Sequence, residues 1–74
     1  MFITSHATPL FAARGRARAL ETWREAASVV SLRWKVFLEA EPARRPLAFG
    51  SYMAALDAEE AAAAEIAVLS DVTA

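Results

Sequence analysis

Residues 41–46 read Glu-Pro-Ala-Arg-Arg-Pro, and this short stretch sets the architecture of the whole chain. Pro42 disfavours helical backbone at Glu41. Pro46 does the same at Arg45 while being well suited to open a new helix. No proline lies between Pro9 and Pro42, and none follows Pro46. Long helices on either side of so short a connection fold back as antiparallel neighbours.

Upstream of the corner, Leu20, Trp23, Ala27, Val30, Trp34 and Phe37 are spaced 3, 4, 3, 4 and 3 residues apart. That is a two-position heptad seam of the coiled-coil kind. Trp23 and Trp34, eleven residues apart, return to within ~20° of one another on a helix. Leu38 widens the stripe, and Arg24, Glu25, Arg33 and Lys35 fall mostly away from it. Thr8-Pro9 has the chemistry of a helix start, a capping hydroxyl followed by proline at the first helical position. Met1 to Ala7 shows no helical period and reads as an arm. Gly15 costs about 1 kcal/mol relative to Ala. On sequence grounds it is equally a kink, a break or a tolerated residue.

Downstream, Phe49, Tyr52, Met53, Leu56, Ala63, Ile66 and Leu69 supply the apolar positions of a second helix. Ala61 to Ala64 is a run of the strongest helix former, small enough for a neighbouring helix to come close. Asp71 to Ala74 follows without a Gly or Asn cap and is expected to fray. The expectation is therefore an all-α, antiparallel helical hairpin of two long helices, about 9–40 and 46–69. Residues 1–8 form a short arm, 9–70 the hairpin domain and 71–74 a frayed tail.

Charge is divided between the two halves. Residues 1–38 carry six basic against two acidic side chains, and residues 39–74 carry two basic against seven acidic. Such a division suits antiparallel self-pairing. At the corner the signs oppose the helix dipoles, with Glu39 and Glu41 ending one helix and Arg44 and Arg45 starting the next. A solvated ion-pair cluster across the turn is the expectation there, with an anion site on Arg44 and Arg45 as the alternative.

Composition excludes several classes of function. The chain has no Cys and a single His, His6, so disulfides, thiolate metal sites and histidine-based metal sites are all out of reach. A reducing, cytoplasmic setting follows as the expectation. The first basic residues, Arg14, Arg16 and Arg18, come after the apolar N-terminal stretch, the reverse of a secretory signal. No segment approaches the ~20 uncharged apolar residues of a membrane span. The 57% apolar fraction is largely alanine and reports helix propensity more than buried area.

No catalytic, cofactor or metal residue is assigned, and the chain does not read as an enzyme. His6 has no positioned partner of the kind that general acid–base chemistry needs. The serines lack a nucleophile-elbow context. Glu59 and Glu60 point about 100° apart, and no Glu-x-x-His motif accompanies them. Arg14, Arg16 and Arg18 form the one compact basic cluster, a small footprint for phosphate on a mildly acidic chain. Phe2, Ile3, Leu10 and Phe11 beside that cluster also allow a surface-lying membrane segment, a weaker reading because no second anchor follows.

From Trp34 onward the residues run Trp34, Phe37-Leu38, Ala40, Pro42, Arg45-Pro46, Ala48-Phe49, Tyr52, Ala54-Ala55-Leu56-Asp57, Glu59-Glu60 and Ala62-Ala63. This half of the chain resembles short uncharacterised two-helix proteins of high-GC Gram-positive bacteria. The Arg-over-Lys, Ala-rich usage fits such a genome. The resemblance implies a two-helix hairpin and carries no activity.

Two lone helices touch along one seam, and the second offers mostly alanine to it. Trp23, Trp34, Phe37 and Phe49 present more aromatic area than that partner can cover. Self-association is expected, most simply a homodimer forming a helical bundle. Trp23, Val30, Trp34, Phe37, Phe49, Tyr52, Leu56 and Ile66 are the candidate core or interface residues. Arg14, Arg16, Arg18, Arg44 and Arg45 are the candidate anion contacts. The expected function is protein–protein interaction or assembly, with a nucleic-acid-associated role through Arg14, Arg16 and Arg18 as the alternative.

Overall fold

The computed structural model describes residues 2–73, with side-chain surroundings for residues 13–70. Two helices make up the fold, α1 (Phe2–Glu39) and α2 (Arg45–Thr73), packed antiparallel along their length. The hairpin measures 62 × 14 × 14 Å. Its radius of gyration of 17.6 Å far exceeds the ~11 Å of a compact domain this long. Among the described residues no helix is long and apolar enough to cross a membrane.

The helix bounds depart from expectation at both chain ends. α1 begins at Phe2, so residues 2–8, expected as an arm, are helical and Thr8-Pro9 lies inside the helix. Pro9 removes one N–H from the ladder, the bond to the Ser5 carbonyl, and the helix continues on either side of it. α2 likewise runs on to Thr73 through residues expected to fray, because neither Gly nor Pro stops it. The side chains of His6, Leu10 and Phe11 lie outside those described.

Pro42 acts as anticipated. The Arg44 N–H donates to the Glu41 carbonyl at 2.9 Å, closing a four-residue turn with Pro42 in its second position. No described residue has a positive φ, which excludes a type II turn and leaves the type I geometry that proline favours here. The Ala40 N–H reaches the Phe37 carbonyl at 3.2 Å, tightening the last turn of α1, and the Ala48 N–H donates to the Arg44 carbonyl to open α2. Arg45 donates from Nη2 to the Ala40 carbonyl at 3.4 Å. The guanidinium thus sits at the negative end of α1, where cations are favoured. Among the described residues the one ion pair is Arg24–Glu21 at 3.8 Å, so the corner is held by this side chain-to-carbonyl bond and not by the expected ion-pair cluster.

Register is fixed at both ends of the hairpin. Trp34 stacks beside Tyr52 with ring centroids 5.0 Å apart, and Phe37 beside Phe49 at 5.5 Å. At the far end, a Cβ on Gly15 would stand 3.9 Å from Leu69 Cδ2. Level pairs along the hairpin therefore have residue numbers totalling about 85. Ala19 lies level with Ile66, Trp23 with Ala62, Ala26 with Glu59, and Val30 with Ala55 and Leu56. Ile66 and Trp23 thus meet alanines of the other helix, whereas towards the corner ring meets ring.

Alanine forms the core. Among the described residues the buried hydrophobic ones are Ala19, Ala55 and Ala62, and no large side chain is completely buried. Ala55 and Ala62 stand seven residues apart, two helical turns on the same line of α2. The seam differs from the expected stripe on both helices: Leu20 and Trp34 of α1 and Phe49, Met53 and Ala63 of α2 lie outside it. Ala19 replaces Leu20, and Ala62 replaces Ala63. Small residues win these positions because they let the backbones approach closely, and the bulkier neighbours are turned outward. α1 passes through Gly15 without a break.

Candidate interaction face

At 100° per residue, each helix presents two flanks beside the seam. One side of the hairpin carries Leu20, Ala27, Ser31, Trp34 and Leu38 from α1 with Phe49, Met53, Leu56, Ala63 and Ala67 from α2. Its corner end holds a continuous cluster of rings. Trp34 meets Phe37 at 5.4 Å as well as Tyr52, and Phe49 meets both Phe37 and Tyr52. All four pairs are tilted, an arrangement that the ring quadrupoles favour over flat stacking.

This cluster is only half covered. Trp34 is 43% exposed, Phe49 45%, Met53 41% and Leu38 60%. Trp23, Val30, Phe37, Tyr52, Leu56 and Ile66 are half-buried. The eight candidate core or interface residues thus divide. Six are half-buried between the helices or beside them, while Trp34 and Phe49 form an open ridge on the side that also exposes Leu38 and Met53.

The opposite side carries Val29, Val36 and Ala40 from α1 with Leu47, Ser51, Ala54, Ala58 and Ala61 from α2. At the corner it opens into a cleft of about 580 Å³ lined by Val36, Ala40 and Ala48, with Glu39, Glu41, Arg44, Leu47 and Ser51 around it. Leu47 stands 77% exposed beside it. Sequence reasoning passed over this flank because its apolar residues are mainly Ala and Val, which stand out less than the aromatic seam.

The basic residues are dispersed. Arg14 and Arg18 lie four apart on one flank of α1, while Arg16 points about 160° from each across the helix and is half-buried. Arg44 borders the cleft and Arg45 is engaged with the Ala40 carbonyl, so the corner arginines do not converge on a common point. Glu59 is half-buried on the seam and Glu60 exposed. Among the described residues no three acidic or histidine side chains gather as a metal site would require. Comparison with protein-family models, with curated proteins and with solved structures finds no match to this chain.

Proposed function

We propose that the chain is a helical assembly module, whose working state buries the aromatic side of the hairpin against another polypeptide. The observation that carries this reading is the open ridge of Trp34, Leu38, Phe49 and Met53, each at least 41% exposed on one side of the molecule. Aromatic and Met side chains in a contiguous patch are what protein interfaces enrich, and a monomer gains nothing by wetting them. Total exposure supports the same reading. The chain exposes 5852 Å², against ~4,450 Å² for a compact monomer of 8.0 kDa.

Thermal unfolding followed by circular dichroism across a hundredfold range of protein concentration tests the proposal. Assembly ties stability to mass action, so the midpoint should rise with concentration. A cooperative transition whose midpoint does not move, with Trp34 still freely quenched by acrylamide at the highest concentration, would remove the basis for this function.

A further inference from the structure

Resting on that reading, the open side can be assigned an occupant. We propose that a second copy of this chain seats on the aromatic side with its corner beside the first copy's corner. The two-fold axis then runs along the hairpins, and α1 of each copy packs antiparallel on the partner's α2 in the same register that it keeps with its own.

Area, charge and size each support this arrangement. The surface in excess of a compact monomer is roughly 1,400 Å², spread along all sides of the 62 × 14 × 14 Å rod. A standard interface takes about 800 Å² from each partner, so one such contact accounts for more than half of it. Between Leu20 and Leu38 the aromatic flank of α1 carries Arg24, with Lys35 about 20° further round the helix at its outer edge. Between Phe49 and Ala67 that of α2 carries one charge, Glu60. Arg24 and Glu60 are level in the register yet turned away from each other within one hairpin. Arg24 makes only its exposed 3.8 Å contact with Glu21. The proposed contact brings Arg24 opposite the partner's Glu60, and two-fold symmetry forms the pair twice.

The same alignment sets the leucines against alanines and brings ring beside ring at the corner. Leu20 enters between the partner's Ala63 and Ala67, Ala27 meets the partner's Leu56, and Trp34 lies between the partner's Met53 and the partner's Phe49. With the corners at opposite ends, a two-fold axis sets α1 on the partner's α1 and α2 on the partner's α2, which puts Arg24 and the partner's Glu60 on different helix pairs and loses their contact. The other side of the hairpin offers a second copy no rings: its exposed larger apolar residues are Val29, Val36 and Leu47, set among alanines.

The absence of cysteine allows a unique label through Ala43→Cys in the exposed turn. Paired spin labels should report separations below about 30 Å, since adjacent helix axes in such a bundle lie 8–10 Å apart. Opposed corners would give about 50 Å, some 35 residues of helical rise. Sedimentation of charge variants provides the second arm. Arg24→Glu and Glu60→Arg should each weaken the dimer about tenfold, and the double variant should recover the parent's affinity to within about threefold. A dimer with labels near 50 Å, or with no recovery in the double variant, overturns this arrangement and leaves the assembly reading in place. A chain that stays monomeric at millimolar concentration overturns both.

Discussion

Two exposed leucines on opposite sides of the corner offer a direct comparison of the two faces. Leu38 is 60% exposed on the aromatic side and Leu47 is 77% exposed beside the cleft. In an isolated hairpin neither Leu38→Glu nor Leu47→Glu should change folding much, because exposed substitutions usually stay within about 0.5 kcal/mol. The helix dipoles add a small bias. Leu47 is the third residue of α2, where a carboxylate gains about 0.3–1 kcal/mol, and Leu38 is next to last in α1, where it loses a similar amount. Association separates the two variants. Full burial of a leucine is worth about 1.5–3 kcal/mol, so covering the 60% still exposed at Leu38 contributes roughly 1–2 kcal/mol per copy. Two-fold symmetry doubles that to about 2–4 kcal/mol, and a carboxylate placed in the contact adds its own desolvation. Leu38→Glu should therefore raise the dimer dissociation constant by about a thousandfold. Leu38→Gln should fall between it and the parent, and Leu47→Glu should leave the constant within about threefold. Sedimentation velocity from 1 to 500 µM measures all four proteins. If Leu38→Glu associates as the parent does, or Leu47→Glu is the variant that dissociates, the wrong side of the hairpin has been chosen.

Two further substitutions probe the hairpin itself. Gly50 has no heavy atom within 4 Å of where a Cβ would stand, and at Gly15 the new Cβ would meet Leu69 at an ordinary 3.9 Å; Gly→Ala at each should stabilise by about 1 kcal/mol, additively for sites so distant, raising the melting midpoint by about 4–8 °C apiece. Ala62→Leu, at a buried position level with Trp23, should cost about 1–3 kcal/mol by forcing the helices apart, whereas Ala64→Leu on the exposed back of α2 should stay within about 0.5 kcal/mol; urea titration compares them, and equal effects would mean that the seam does not run through Ala62.

The residues most legible in the sequence were those whose effect is local. Pro42 dictates the corner through its own ring, and the structure closes the turn on the Arg44 N–H as that ring requires. The heptad spacing from Leu20 to Phe37 placed both tryptophans on the inner half of α1, and the hairpin followed. The exact seam was hidden because Ala19 and Leu20 adjoin, as do Ala62 and Ala63. Periodicity weighted by hydrophobicity selects Leu20 from the first pair and has no means of choosing between the alanines in the second. Packing selects by size, and Ala19 and Ala62 are the members of each pair that it buries. The start of α1 at Phe2 was missed for a related reason. Thr8-Pro9 is a strong start signal, but proline forbids only one backbone bond, and a helix already formed on both sides can continue past it.

An alanine seam also bears on the need for a partner. Had Leu20 and Met53 faced inward, the hairpin could have covered its bulk by itself, with the helices further apart. By closing on Ala19, Ala55 and Ala62, the two helices approach closely and expel the larger side chains to the flanks. The two flanks are not equivalent. One carries Glu25, Arg33 and Glu65 among small aliphatic residues, while the other carries four linked rings, with Arg24 and Glu60 of opposite sign at the same level. A flank merely left over from close packing would have no reason to gather every ring of the corner on one side. The close intrachain seam and the open aromatic side are thus two results of one placement of alanine, and the second is intelligible only if something of matching register covers it.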